Sequence, residues 1–263
     1  MKYFNLIKNK FPLFFICLLM SCGSKQEVVY YQNSDSLAKT EVTNSYEIKI
    51  QPDDLLMIIV SAEDAEIAAP FNLKAILVVA PENQYSSARE SSQLYLVDSK
   101  GTIDFPILGK LKIGGKTRTE VVAMLSQKIA TYIKNPIINL RITNFKVSLQ
   151  GEVNSPGVYT INSERLTLIE ALSLSKDLTI YGKRDNILVI REVDGQKTFN
   201  RVDITKADFM NSPFYYLSQN DVIYVEPNKS KVNASKIGPD TSVVISAASI
   251  LLTLVTLIIS ITK

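Results

Sequence analysis

The C-terminal end constrains this chain more than any other stretch. The run TSVVISAASILLTLVTLIISIT, residues 241–262, carries no charge. As a helix rising ~1.5 Å per residue it extends about 30 Å, the thickness of a bilayer's hydrocarbon core. Inside its flanking threonines, every hydroxyl falls on one series: Ser242, Ser246, Ser249, Thr253, Thr256 and Ser260. The steps alternate four and three, which places all of them on one helical stripe. One face, rich in Val, Ile and Leu, suits lipid. The other is small and weakly polar, and suits either close packing against a neighbouring helix or a water-filled lumen. The plain alternative is a single tail anchor. Both sharper readings need several copies, because one helix encloses nothing.

The other end sets the compartment. Met1 to Ser21 has a basic start (Lys2, Lys8, Lys10) and then the apolar run FPLFFICLLM, a signal-peptide pattern. LMSC follows, and Leu, spacer, small residue and Cys resemble a bacterial lipobox that would make Cys22 the acylated first residue of a mature lipoprotein. Gly23 follows the cysteine. An Asp there would resemble an inner-membrane retention signal, so its absence favours the outer membrane.

Composition excludes most chemistry. The 263 residues include two cysteines and no histidine. Cys17 leaves with the signal and Cys22 would carry lipid, so no thiol remains for a disulfide, a zinc site or a nucleophile. Without histidine the commonest general base and metal ligand are missing. The reading is therefore not an enzyme, with no metal and no cofactor. Of 29 basic residues, three lysines leave with the signal, so 26 remain against 26 acidic ones. That balance argues against nucleic acid as a partner.

Residues 22–45 read as a tether, with EVVYYQ as a possible edge strand. In YEIKIQPDDLLMIIV, Tyr46, Ile48 and Ile50 alternate with polar residues, Pro52 and Asp53 supply a turn, and Leu55 to Val60 is a buried strand. A further strand is expected near Ala75 to Val79. From Leu94 short strands are joined by turns at Gly101 and Gly109. Thr117 and Glu120 then make a capping box for a helix whose face is Val121, Leu125, Lys128 or Ile129, and Tyr132. IINLRITNF returns as a strand. In KVSLQGEVNSPGVYTI, Gly151, Pro156 and Gly157 build a tight turn, the glycines free to take angles closed to other residues. LTLIEALSLS is a short helix with Leu168, Ala171, Leu172 and Ser175 on one side; Asp194 and Gly195 turn a hairpin; NDVIYVEP is a last strand. The whole is α+β.

YEIKIQPDDLLMIIV, VDSKGTIDFPILGKLKIGGKTRTEVV, YIKNPIINLRI, LQGEVNSPGVYTI and TLIEAL with YGKRDNILVIR resemble, in order and spacing over residues 46–227, the outer-membrane polysaccharide export family. CGSKQEVVYYQ is similar to the start of its Bacteroidota members. The resemblance implies a signal peptide (1–21), a tether (22–45), a polysaccharide export domain (46–144), one soluble-ligand-binding β-grasp (SLBB) domain (145–228), a linker (229–240) and a transmembrane helix (241–262). It further implies an octameric homo-oligomeric ring standing in the periplasm, its C-terminal helices forming a channel through the outer membrane. Its partners would be membrane lipid, a capsular or extracellular polysaccharide, and an inner-membrane copolymerase or tyrosine kinase. The chain departs from the family pattern twice: Pro52-Asp53-Asp54 stands for Pro-Gly-Asp, and Ser175-Lys176-Asp177 for Ala-Gly-Gly. Membrane-anchored ligand binding or scaffolding without a pore is the competing function.

Four further features are weighed. Asp53 and Asp54 read as turn residues rather than a catalytic pair, since no base partner is visible. Lys110, Lys112, Lys116 and Arg118 read as a solvated basic run. Tyr215 and Tyr216 read as packing rather than sugar-stacking groups. Lys229, Lys231 and Lys236 precede the final helix on its expected periplasmic side, which opposes the positive-inside tendency of an inner-membrane span.

Overall fold

The computed structural model describes residues 25–36, 46–73, 93–193, 195–236 and 239–261. The strand expected at 75–79 and the lipobox Cys22 lie outside these residues.

The apolar, β-branched-rich run Leu55–Ser61 forms a strand, β1, whose side chains are alternately buried and partly open. A four-residue helix, α1 (Ala65–Ala68), follows under the Asp64 cap. Strand β2 (Tyr95–Leu96) and strand β5 (Ile137–Ile142) flank β1 antiparallel, giving the order β2-β1-β5. Between them come the hairpin β3 (Thr102–Phe105) and β4 (Gly109–Lys112), and helix α2 (Arg118–Ile129). The Thr117–Glu120 capping box forms as the sequence predicts. The helix buries Val121, Leu125 and Ile129 against β1 and β5, with Ile58 and Leu140 from the sheet. Ile129, not Lys128, completes the face. Tyr132 stays 59% exposed and Ile133 closes the core instead, because the chain turns after Ile129 and carries the next inward position to residue 133.

The second unit is a five-stranded mixed sheet of order β7-β6-β10-β8-β9. Its strands are β6 (Lys146–Gly151), β7 (Gly157–Thr160), β8 (Gly182–Val193), β9 (Gln196–Val202) and β10 (Val222–Pro227). Only β6 and β10 pair in parallel. Helix α3 (Leu168–Leu174), capped by Thr167 and Glu170, lays Leu168, Ala171 and Leu172 on the sheet among Val147, Leu149, Ile187, Val189 and Ile223. A mixed sheet gripping one short helix is the β-grasp arrangement expected for this half.

The units are stitched at Asn144. Its side chain accepts from Leu55 N (2.9 Å) and donates to Asp53 O (2.9 Å) in the first unit. Its carbonyl receives Gln219 Nε2 (3.0 Å) from the second. Upstream, Ile48 packs into the second core although Ile50, two residues on, belongs to the first.

Two segments differ from expectation. Residues 25–36 are no strand: they form short 3-10 turns at Lys25–Glu27 and Ser34–Ser36 docked on the second unit. Ring contacts decide this, since Tyr31 stacks on Phe209 at 6.1 Å and Gln32 N donates to Thr205 O at 2.8 Å. The stretch after β10 is helical too. Asn228 caps a short α4 (Lys229–Ser235), and the long α5 runs over Pro239–Ile261.

Candidate functional site

Helix α5 is the feature with the least explanation inside its own chain. Its 23 residues extend about 35 Å at ~1.5 Å each. Among the described residues, Val243–Ile261 is the one helical stretch long and apolar enough to cross a membrane, and none of it is buried. Leu252 is 68% exposed and Ile261 75%. The hydroxyl series lies along it. Ser249 Oγ donates to Ile245 O, Thr253 Oγ1 to Ser249 O and Thr256 Oγ1 to Thr253 O, each at 2.8 Å. Ser246 and Ser260 share the stripe; the Ser242 side chain lies outside the described set. Hydroxyls folded back on their own backbone give a face that is small and uncharged, with donor protons satisfied without water. Such a face tolerates lipid, a neighbouring helix or a passing polar chain.

The head of α4, which precedes this helix, and the start of the described chain meet at one loop. Lys176 and Asp177 hold left-handed backbone, φ 60° and 67°. Asp177 Oδ1 receives the Tyr30 hydroxyl at 2.6 Å, while the Arg184 guanidinium lies 5.4 Å from the Tyr30 ring centre. Burial, then the Asp177 carboxylate, holds the Tyr30 phenol far above its ordinary range. From the other side Asn228 N donates to Tyr181 O at 2.7 Å, and Lys231 Nζ sits 5.1 Å from the Tyr181 ring centre.

Six rings form a continuous chain, Tyr30–Tyr31–Phe209–Tyr215–Tyr216–Tyr46, with centroid spacings of 4.9 to 6.1 Å. Tyr215 and Tyr216 thus serve packing, as their sequence context predicts. Beside the Tyr46 end opens a cleft of about 1780 Å³ between the units, lined among others by Lys49, Lys100, Arg191 and Gln219. Arg191 organises its wall: it bonds both oxygens of fully buried Asp221 (2.7–3.2 Å) and the carbonyl of Tyr216 (2.9 Å). Burial raises the Asp221 pKa, and Arg191 opposes that rise.

The remaining candidates are structural. Asp53 sits in the turn at φ 68°, exposed. Asp54 is fully buried; its Oδ2 accepts from Gln51 N at 2.8 Å and its Oδ1 has no hydrogen-bond partner. Burial pushes its carboxyl up to about 6. The basic run is dispersed: Lys110 faces Asp104, and Arg118 bonds Leu140 O and Glu164. Gly101, Gly109 and Gly151 take positive φ (73°, 73° and 87°). Gly157 does not; it simply opens β7 opposite Leu149, and Pro156 precedes it in the turn. At both departures from the family pattern the backbone keeps the left-handed geometry that glycine suits, with Asp53, Lys176 and Asp177 holding it instead.

Residues 42–143 match the family described as polysaccharide biosynthesis/export protein, and residues 145–225 match the SLBB domain. These two domains, in this order, are the pair found in the polysaccharide export family. The residue between the two matches is Asn144, the stitch described above. The chain is similar to the EPS I polysaccharide export outer membrane protein EpsA of Ralstonia solanacearum, 29% identical over 143 residues, 52% of this chain and 37% of the relative. It is 38% identical over 82 residues to the protein of the same description from Ralstonia nicotianae, 30% of this chain and 22% of that relative. The aligned stretches thus span about a third or less of the curated relatives' length. Sequence reasoning missed the Tyr30–Asp177 contact and the Asn144 stitch. The pair of tyrosines in VVYYQ was the one signal for the former.

Proposed function

We propose that this export protein is a lipid-anchored outer-membrane component that assembles into a homo-oligomeric ring and conducts a capsular or extracellular polysaccharide. Cys22 carries the lipid, the two folded units stand in the periplasm, and the α5 helices of neighbouring copies line up as the membrane exit. The observation that carries this reading is α5 itself. An apolar helix of this length, with none of Val243–Ile261 buried among the described residues, calls for lipid on one side and companions on the other. Its hydroxyl stripe then faces inward. Ser249, Thr253 and Thr256 already satisfy their protons on the backbone, so the stripe offers sugar hydroxyls only shared, short-lived hydrogen bonds and no fixed charge. A long glycan slides past such a wall without a deep binding site to stop it. Conduction is passive; the driving force comes from polymer synthesis and from an inner-membrane copolymerase or kinase partner.

The first experiment is the mass of the full-length lipidated protein extracted in mild detergent. A large closed oligomer supports the ring, and a monomer removes it. The second replaces Ser246, Ser249, Thr253 and Thr256 with leucine. Export should stop while the oligomer persists; normal surface polysaccharide in that variant would sink the conduit reading in favour of an anchored scaffold.

A further inference from the structure

The loop Leu174–Gly182 joins the two chain ends that this export protein sends toward the membrane. On one side Asp177 holds Tyr30, eight residues after Cys22. At ~3.5 Å per residue the anchored cysteine lies within about 28 Å of the loop. On the other side Tyr181 holds Asn228 and Lys231 at the head of α4, and α4 ends four residues before α5 begins. Between these two fastenings the loop exposes apolar side chains that nothing among the described residues covers. Ile180 is 61% exposed, Leu174 45% and Tyr181 42%, with Val28 and Val29 exposed beside Tyr30. Lys176 on the loop and Lys229, next to Asn228, are exposed. Of the nearby carboxylates, Glu152 is engaged with Thr179 (2.7 Å) and Lys231 (3.8 Å) and Asp177 with Tyr30, while Glu27 next to Val28 is exposed.

We propose that this loop, with Val28 and Val29, is a membrane-seating face, in which Ile180 and Tyr181 enter the headgroup layer of a phospholipid surface and the lysines contact its phosphates. The inference rests on reading α5 as a membrane span. Three observations select lipid as the occupant. Both membrane-directed ends leave from this loop. An apolar tip with Lys176, Lys229 and Lys231 beside it matches the gradient from acyl chain to phosphate. A tyrosine with a lysine over its ring is an amphipathic pair suited to that depth. Two consecutive left-handed non-glycine residues, Lys176 and Asp177, are strain that the loop keeps, and their side chains supply one basic contact and the Tyr30 fastening.

The chain contains no tryptophan, so a single introduced indole reports its own surroundings. Full-length lipidated protein carrying Ile180→Trp, Leu251→Trp or Phe199→Trp is reconstituted into vesicles of phosphatidylethanolamine and phosphatidylglycerol with dibrominated acyl chains. Position 251 lies within α5, and Phe199 is an exposed site on β9. The expected result is strong quenching at 251, clear quenching with a blue shift at 180, and water-like emission at 199. Quenching at 251 with water-like emission at 180 overturns the seating face alone. Water-like emission at 251 overturns the membrane span and the face with it. Equal quenching at 180 and 199 also overturns the proposal, since contact would then be general rather than local.

Discussion

Replacing Gly151 with alanine tests the packing logic of the second unit most directly. Gly151 ends β6 opposite Val225 of β10, at φ 87°. A Cβ built there lies 2.1 Å from Val225 O, 3.0 Å from its carbonyl carbon and 3.1 Å from a ring carbon of Tyr224. Val225 cannot step aside, because it is fully buried and its carbonyl receives Glu152 N at 2.9 Å. Left-handed backbone costs an L-residue about 1–2 kcal/mol. Overpacking adds about 1–3 kcal/mol, and the weakened Glu152 hydrogen bond about 1. The sum is about 3–6 kcal/mol, which for a body of this size lowers the melting temperature on the order of 10 °C. The assay is thermal unfolding of the full-length protein in mild detergent, followed by circular dichroism. Gly157→Ala is the internal control: its added Cβ meets only a Tyr159 ring carbon at 3.9 Å with ordinary φ, so its effect stays within about 0.5 kcal/mol. If the two variants melt together, the close approach of β6 and β10 at Gly151 is wrong.

Asp53→Gly should stabilise by up to about 1 kcal/mol, because it relieves the left-handed angle at an exposed residue whose backbone bonds are kept; a lower melting temperature would mean the Asp53 side chain contributes something its position does not suggest. Asp54 has a folded pKa raised to about 6 by burial, so its stabilising contribution is complete below the unfolded value near 4 and is lost as pH rises toward 7. Relative to Asp54→Asn, the wild type should therefore lose about 2–3 kcal/mol over that window, and parallel pH profiles for the two proteins would refute the shift. Arg191→Met should cost about 3–5 kcal/mol by leaving Asp221 charged and unpaired in the core, and adding Asp221→Asn should recover much of it; strictly additive losses would contradict the buried pair.

What could be read ahead of the fold was what depends on neighbours along the chain. The Thr117–Glu120 box, the unbroken apolar run of Leu55–Val60 and the apolar length and hydroxyl period of α5 are written within one or two turns of backbone, so apolar run, periodicity and capping chemistry reveal them. Element order then followed, and with it an α+β body ending in an apolar helix. Contacts between distant segments were not legible. Whether Gly151 or Gly157 is the indispensable glycine turns on where the carbonyl of Val225 lies, 74 and 68 residues further along the sequence. That Asp54 keeps a high pKa depends on walls that close around it, not on its neighbour Asp53 alone. That VVYYQ docks as turns was set by Phe209, Thr205 and Asp177 waiting on another unit. Local pattern names the pieces because backbone geometry is short-ranged; burial, charge and the meeting of Tyr30 and Asn228 at one loop exist only after tertiary packing brings remote side chains within a few ångströms.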